Sequence, residues 1–195
     1  MILKIADSGN PILYQELEPF DFSNPPTDPV QLANDLIETM VANKGIGLAA
    51  NQCGLPYRVF VLHSEQPLVV FNPRIIDQST EFVQLEEGCL TYPHLFIKIK
   101  RPKIIKVRFQ DAMGETHTEK FIGMTARGFL HEMDHLDGII YHKRASVPQL
   151  NKSLNQRKIL ERKLKRGEVY YKPADISTAN NTLSFSTTDT TLNKE

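Results

Sequence analysis

The first regular hydrophobic pattern in the chain lies between residues 28 and 45 and predicts an α-helix. Apolar residues recur there every three or four positions, which places them on one face of a helix. Asp28 and Pro29 are typical of a helix start, because an aspartate side chain accepts hydrogen bonds from the first turn and proline suits the first helical position. Gly45 ends the pattern, so the expected helix has about four turns.

Five short runs rich in apolar residues follow along the chain, and each predicts a β-strand. Pro, Asn, Asp and Gly separate most of the runs, which favours antiparallel strands joined by turns. The runs span residues 58–63, 68–71, 95–100, 104–109 and 117–121.

A second helix is predicted from about residue 125 to 137, with Gly138 as its end, and a basic third helix from about 148 to 166. This order of elements predicts an α+β fold, with antiparallel or mixed sheets packed around a central helix that lies between an N-terminal and a C-terminal helix. We expect one domain over residues 1–166. The remainder, 167–195, is expected to be a tail that is disordered from about residue 173, where Thr, Ser and Asn replace apolar residues.

Composition narrows the classes of partner. The 195 residues favour one domain, and 23 basic and 23 acidic side chains balance to a formal net charge of zero. Balanced charge gives no global reason to expect DNA as a partner, and the sequence has no long apolar run that predicts a membrane span. Two cysteines argue against a disulfide framework and indicate a reducing compartment. We expect a cytoplasmic location, or an organelle if a transit segment has been removed.

The strongest chemical signal is the sequence HEMDH at 131–135, within the second predicted helix. Residues four apart lie on one helix face, so His131 and His135 are able to bind one metal ion while Glu132 stands beside them. Two neutral imidazoles and a nearby carboxylate are typical of metal-dependent hydrolysis. A charged, solvated helix face is the alternative interpretation of the same residues.

A site of this kind needs a third protein ligand. Downstream, His142 and Glu161 are candidates, and upstream Cys89 offers a thiolate, which is a strong ligand for borderline divalent metals. Asp134 and Asp137 either orient an imidazole by a hydrogen bond or lie on the helix surface. The residues alone leave these alternatives open.

A second signal is the uncharged segment of small residues at 45–52, GIGLAANQ. Its backbone is able to approach an extended peptide closely, and the side-chain amide of Gln52 is able to donate a hydrogen bond to an oxyanion. A tight helix-to-strand turn is the alternative explanation of the segment.

Three segments in this order, GIGLAANQ at 45–52, EGCLT at 87–91 and HEMDH at 131–135, resemble the motifs of the peptide deformylase family. The resemblance covers about residues 1–145. It departs from the family at Thr91, where serine is usual, and at Leu130, where glutamine is usual. The first change keeps a hydroxyl group, whereas the second removes a polar group beside the first histidine.

The resemblance implies a metal centre. Cys89, His131 and His135 match the ligands of one divalent metal ion, and Glu132 matches the general acid/base. Fe²⁺ is the native ion that the family leads us to expect, with Zn²⁺ or Ni²⁺ as alternatives. The expected reaction is removal of the N-formyl group from the N-terminal formylmethionine of newly synthesised polypeptides.

The resemblance also implies how the substrate is held. Gln52 and the backbone amide of Leu90 match the groups that stabilise the oxyanion, and Gly45, Ile46 and Gly47 match the strand that pairs with N-formylmethionyl peptides.

Partners beyond that strand are less defined. Arg101 and Arg127 are candidates for holding the peptide or a carboxylate, with surface salt bridges as the alternative. The basic C-terminal helix is a candidate contact with the ribosome.

Two other classes of function remain. A zinc peptidase shares the HExxH pattern but needs neither Cys89 nor the 45–52 segment. A metal-stabilised binding module without activity would retain the ligands and lose Gln52 or Glu132, and both residues are present.

Overall fold

The architecture, seen in a computed structural model that describes residues 1–168, is α+β. The described residues form three α-helices, which are α1 (Pro29–Ala42), α2 (Gly123–Leu136) and α3 (Val147–Lys165). They also form seven strands, which are β1 (Gly47–Ala49), β2 (Val59–Leu62), β3 (Leu68–Gln78), β4 (Phe82–Cys89), β5 (Tyr92–Pro102), β6 (Ile104–Gln110) and β7 (Thr116–Ile122). Three short 3-10 helices span Pro11–Tyr14, Ala50–Cys53 and Tyr141–Arg144. Within this part of the chain no helix is long and apolar enough to cross a membrane.

The strands form two antiparallel sheets. One has five strands in the order β1-β2-β3-β6-β7, and the other is the hairpin of β4 and β5. Helix α2 contacts strands of both sheets, and α3 packs on β5. The inner face of the larger sheet meets α2 through aromatic rings, since Phe129 packs edge-on against Phe60 with ring centroids 4.9 Å apart. Phe121 adds a second contact with Phe129, with centroids 5.5 Å apart. The two sheets therefore meet at one helix.

Helix α1 begins as its sequence predicts. The carboxylate of Asp28 accepts hydrogen bonds from the backbone amides of Val30 and Gln31, and Pro29 is the first helical residue. Leu36 and Met40 are fully buried on the face that packs against β1 and β2. Apolar periodicity and the N-cap thus act together to place α1 directly before β1.

Two regions differ from the sequence prediction. Strand β3 continues to Gln78, beyond the predicted 68–71, and its second half was missed because four of its last five residues are exposed and form no apolar run. Strand β4 was not predicted, since its exposed acidic and polar residues do not read as an apolar run. The predicted disordered tail lies outside the described residues from position 169 onwards.

Helix α2 ends at a glycine that the backbone requires. Gly138 has φ +66°, in the left-handed region that favours glycine. A methyl group there would lie 2.7 Å from the backbone carbonyl carbons of Tyr14 and Gln15. The N-terminal segment runs across the end of the helix, where the amide of Leu17 donates to the carbonyl of Leu136 at 2.9 Å. Gly138 therefore allows the first residues of the chain to cover the end of α2.

We predict that Gly138→Ala lowers the free energy of unfolding by roughly 2–5 kcal/mol, from left-handed strain and from overpacking against the N-terminal backbone. Gly54→Ala is the matched control, because Gly54 also has positive φ (+76°) but has open space around its Cα. The control should lose only the strain, about 1–2 kcal/mol. Denaturant unfolding of both variants provides the measurement. Equal losses would contradict the close approach at Gly138.

Candidate active site

A cavity of about 390 Å³ brings the three sequence motifs together. It lies where the segment before β1, the turn between β4 and β5, and the face of α2 meet. Its lining includes all but one of the nine residues singled out from the sequence, namely Gly45, Ile46, Gly47, Gln52, Cys89, Leu90, His131 and Glu132. The ninth, His135, is 1% exposed and lies just behind this lining, where its Nε2 contacts the sulfur of Cys89.

Three potential metal donors converge at the base of the cavity. The ligand atoms of Cys89, His131 and His135 all lie within 4.8 Å of one another. Cys89 Sγ is 3.2 Å from His135 Nε2, a separation compatible with both atoms binding one ion at about 2.3 and 2.1 Å. The downstream candidates His142 and Glu161 are elsewhere: His142 packs against the ring of Tyr92, and Glu161 pairs with Arg157 on α3.

The thiol of Cys89 lies in surroundings that favour its ionised form. Burial opposes ionisation, but the positive charge of His135 and hydrogen bonds with His131 and His135 outweigh it and lower the pKa of Cys89 well below its usual range. A thiolate is the form that binds metal. By contrast, burial raises the pKa of Cys53 to about 12, so that thiol stays protonated.

Glu132 stands beside the donors without a partner of its own. The residue is 4% exposed, and within the described residues its Oε2 atom is buried and makes no hydrogen bond. Burial raises its pKa to about 7, against the opposing effect of His131 and His135. A carboxyl group with a pKa near neutrality is able both to accept and to return a proton.

The side-chain amide of Gln52 is fixed by contacts at both ends. Its Oε1 accepts a hydrogen bond from the amide of Ala49 at 2.9 Å. Its Nε2 donates to Cys89 Sγ at 3.4 Å and to Thr91 Oγ1 at 3.2 Å. The amide group therefore turns its donor side towards the cysteine, and the hydroxyl of Thr91 supplies a contact that a serine hydroxyl is also able to make.

Strand β1 has one free edge along the cavity. Within residues 1–168 it is the outermost strand of the larger sheet and pairs only with β2, with Gly47 opposite Leu62. A side chain at Gly47 would collide with the carboxyl group of Glu132, whose Cδ would lie 2.9 Å from the added carbon. Glycine is thus required where this strand passes Glu132.

A buried cluster of charges, to which the cavity-lining residues Glu87 and Arg127 belong, was not identified from the sequence. The carboxylate of Glu87 receives two hydrogen bonds from Arg101, each 2.9 Å long, and one of 2.6 Å from Arg127. Its Oε2 is also 3.0 Å from His131 Nδ1. Burial opposes ionisation of Glu87, but Arg101 and His131 lower its pKa to about 2. Glu87 therefore holds the ring of His131 with Nε2 facing away from it.

The two arginines are buried and both hold a carboxylate, that of Glu87, so the alternative of surface salt bridges for them is wrong. Arg101 and Arg127 are each 4% exposed. Arg101 also pairs with Asp134 at 2.7 Å, and Arg127 donates to the carbonyl oxygen of Ile99 at 2.9 Å. Their hydrogen-bonding groups are directed to the protein interior, so the cluster is structural.

The other acidic residues of α2 also have defined partners. Asp134 is buried and pairs with Arg101 and Arg144, whereas Asp137 pairs with Arg58 at 2.7 Å. Neither of these aspartates hydrogen-bonds the imidazole of His131 or His135. Leu130 packs at the margin of the apolar core, and its carbonyl oxygen accepts from Arg101 at 3.3 Å. The charged cluster thus stabilises α2 without a glutamine at position 130.

Comparison with known proteins agrees with this arrangement. Residues 2–151 match the family model described as polypeptide deformylase. The peptide deformylase of Pseudothermotoga lettingae is 40% identical over 141 residues, which cover 72% of this chain and 81% of the relative. The solved structure of peptide deformylase from Thermus thermophilus matches with a TM-score of 0.75 at 35% identity, covering 81% of this chain and 94% of that chain.

A structure with a peptide bound is also similar. The Met-Ala-Ser-bound class I type b peptide deformylase from Acinetobacter baumannii matches with a TM-score of 0.70 at 30% identity, covering 74% of this chain and 99% of that chain. The sequence motifs, the cavity that unites them and these relatives all lead to one assignment: the chain belongs to the polypeptide deformylase family.

Proposed function

We propose that Cys89, His131 and His135 hold one divalent metal ion and that Glu132 is the general acid/base of this enzyme. The enzyme is a metal-dependent hydrolase that removes the N-formyl group from the N-terminal formylmethionine of newly synthesised polypeptides, releasing formate. The observation that supports the assignment of roles is the convergence of one sulfur and two imidazole donors beside an unpaired, buried carboxyl group.

The donor set fits a catalytic metal ion. Three protein ligands that leave a fourth position open are typical of catalytic zinc-type sites. When bound, the ion supplies Lewis-acid activation of water and of the formyl carbonyl group. We propose Fe²⁺ as the native ion, with Zn²⁺ or Ni²⁺ as alternatives, because a thiolate with two imidazoles suits each of them.

Glu132 moves the proton in this proposal. Its carboxylate accepts a proton from the attacking water molecule, whose oxygen forms a bond to the formyl carbon. It then returns that proton to the peptide nitrogen as the carbon–nitrogen bond breaks. The products are formate and a free amino terminus. Glu132 is suited to both steps because its burial brings its pKa to about 7.

Negative charge on the formyl oxygen needs hydrogen-bond donors. We assign Gln52 Nε2 and the backbone amide of Leu90 to this role. The bond from Ala49 to Gln52 Oε1 supports the assignment, because it fixes which end of the amide faces the cavity.

The substrate backbone is proposed to pair with Gly45, Ile46 and Gly47, along the free edge of β1. The methionine side chain would enter the cavity beside Ile46 and Leu90. We further propose that α2 is the central helix of the fold and carries the HExxH motif into this cavity, which its contacts with both sheets support.

We predict that Glu132→Gln reduces formate release from a formyl-Met peptide by orders of magnitude, since the amide cannot accept the proton. Metal content, measured in the same sample, should stay equal to wild type. Glu81→Gln is the control for charge, because Glu81 pairs with Lys103 at the exposed edge of β4. Near-normal turnover by Glu132→Gln would remove the residue from its role.

We predict that Cys89→Ala abolishes stoichiometric metal binding and the stabilisation that metal provides. An ion bound only to the folded state contributes about 4 kcal/mol at a thousandfold excess over Kd, so a chelator should lower the Tm of wild type but not of the variant. Cys53→Ala removes a thiol of similar exposure outside the donor group and should keep the chelator effect. Metal analysis of anaerobically purified wild type, paired with formate release, identifies the native ion.

We predict that Glu87→Gln lowers the free energy of unfolding by about 3–5 kcal/mol, because it leaves buried arginines without their carboxylate. Metal affinity should fall about 10–100-fold, since the substitution loosens the orientation of His131. Glu81→Gln, at an exposed pair, should change stability by less than about 0.5 kcal/mol. Unchanged metal affinity in Glu87→Gln would show that His131 needs no help from this carboxylate.

The remaining assignments concern the molecule as a whole. We propose that residues 1–166 act as one catalytic domain and that the basic helix α3 contacts the ribosome by electrostatic attraction that weakens with salt. A cytoplasmic location stays a prediction.

The competing zinc-peptidase function predicts cleavage of an unformylated peptide, whereas the proposed function predicts formate release alone.

A further inference from the structure

On β3, β6 and β7, the face of the larger sheet that points away from α2 carries cations directly opposite one another. Arg74 on β3 lies opposite Arg108 on β6, and Lys106 on β6 lies opposite Lys120 on β7. All four residues are exposed. Like charges at directly opposed positions of neighbouring strands destabilise a sheet. The face therefore carries an electrostatic cost that an anionic partner would offset.

Few compensating charges lie on this face. None of the four cations makes an ion pair within residues 1–168, and one carboxylate, that of Asp77, is in register with them, opposite Lys106. Arg108 makes only a long contact of 3.5 Å with the hydroxyl of Thr118. The guanidinium groups of both arginines are thus available to bind a ligand.

The smaller sheet shows the opposite arrangement. There Glu86 on β4 lies opposite Lys98 on β5, and the Lys100 ammonium lies over the ring of Phe82, 5.3 Å from its centroid. The smaller sheet thus has one opposite-charge pair in register, whereas the larger sheet has two like-charge pairs beside one opposite-charge pair.

The positive face is also separated from the cavity that contains the metal donors. Side chains alternate along β6, so Val107 and Phe109 point to the core that includes Phe129 of α2, while Lys106 and Arg108 point away from it. Beside the arginines lies a concavity of about 380 Å³, whose lining includes Arg74, Arg108, Gln110 and Thr116.

We propose that this face, defined by Arg74, Lys106, Arg108 and Lys120, binds the phosphate backbone of single-stranded RNA. Planar guanidinium groups bind phosphate oxygens in pairs, and the two cation pairs succeed each other along β6, as a ligand with repeated anionic groups requires. The hydroxyl of Thr116 adds a potential donor to phosphate. The choice of RNA among phosphodiesters rests on the action of the enzyme on newly synthesised polypeptides, whereas the anion site rests on the sheet alone.

The test uses the full chain and a labelled single-stranded RNA of about 12 nucleotides, titrated at several salt concentrations by fluorescence anisotropy. The variants are Arg74→Gln/Arg108→Gln and Lys106→Gln/Lys120→Gln. The matched control, Lys98→Gln/Lys100→Gln, removes the same charge from the exposed face of the smaller sheet. A fourth variant, Lys158→Gln/Arg162→Gln, reports any contribution of α3.

Each sheet-face variant is expected to weaken RNA binding about tenfold at low salt and to reduce the slope of log K against log salt by about 1.4, for two lost phosphate contacts. The control should keep the wild-type slope. Formate release from a free formyl-Met peptide should be unchanged in all four variants, so loss of RNA binding is distinguishable from loss of the catalytic function. Thermal melting should show that Arg74→Gln/Arg108→Gln is at least as stable as wild type, because a repulsion between opposed arginines has been removed.

Three results would overturn the proposal: wild type binds the RNA no better than the sheet-face variants, the control loses as much slope as they do, or a poly-glutamate peptide displaces the RNA at the same charge concentration. The last result would assign the face to an acidic peptide rather than to RNA.

Discussion

A single buried carboxylate joins the two parts of the chain that bring the candidate metal donors together. Glu87 lies on β4, two residues before Cys89, and it contacts Arg101 on β5, Arg127 on α2 and His131 on α2. The hairpin that carries the sulfur is thereby tied to the helix that carries both imidazoles. A charge taken out of water is costly unless it is paired and hydrogen-bonded, and here each carboxylate oxygen has two partners. The position of His131 among the candidate donors is therefore linked to the pairing of this one carboxylate with two arginines.

The same low-dielectric interior has the opposite effect on Glu132, to which no cationic side chain of the described part of the chain is hydrogen-bonded. Burial raises the pKa of Glu132 to about 7 despite the opposing effect of His131 and His135, whereas pairing lowers the pKa of Glu87 to about 2. Both glutamates are buried, so the difference between their pKa values comes from their partners and not from their burial. Gly47 contributes to this difference, because a side chain there would displace the Glu132 carboxyl group from its position beside the cluster. Backbone and electrostatics are therefore coupled at the point where strand and helix meet.

The sequence was most informative where the cause of structure is local. The N-cap at Asp28 and the glycine at 138 gave the start of α1 and the end of α2, since both depend on contacts or torsion angles of adjacent residues. The HExxH spacing predicted two donors on one helix face. Cys89, the proposed third donor, was one candidate of three from the residues alone, and the family resemblance favoured it. Burial of Arg101 was not predictable, because its partners Glu87 and Asp134 are distant in sequence and an isolated arginine reads as a surface residue.

Net charge illustrates the same limit on a larger scale. A formal charge of zero gave no reason to expect a polyanionic partner, yet the fold distributes that charge unevenly. The register of the strands determines which charges lie opposite one another. The pairing of β4 with β5 places Glu86 opposite Lys98, and the pairing of β3 with β6 places Arg74 opposite Arg108. Each sheet is antiparallel and each alternates inward and outward residues, so secondary structure alone does not distinguish them. The charge of a sheet surface depends on which strands pair and in which register, because the pairing places residues that are far apart in the chain side by side.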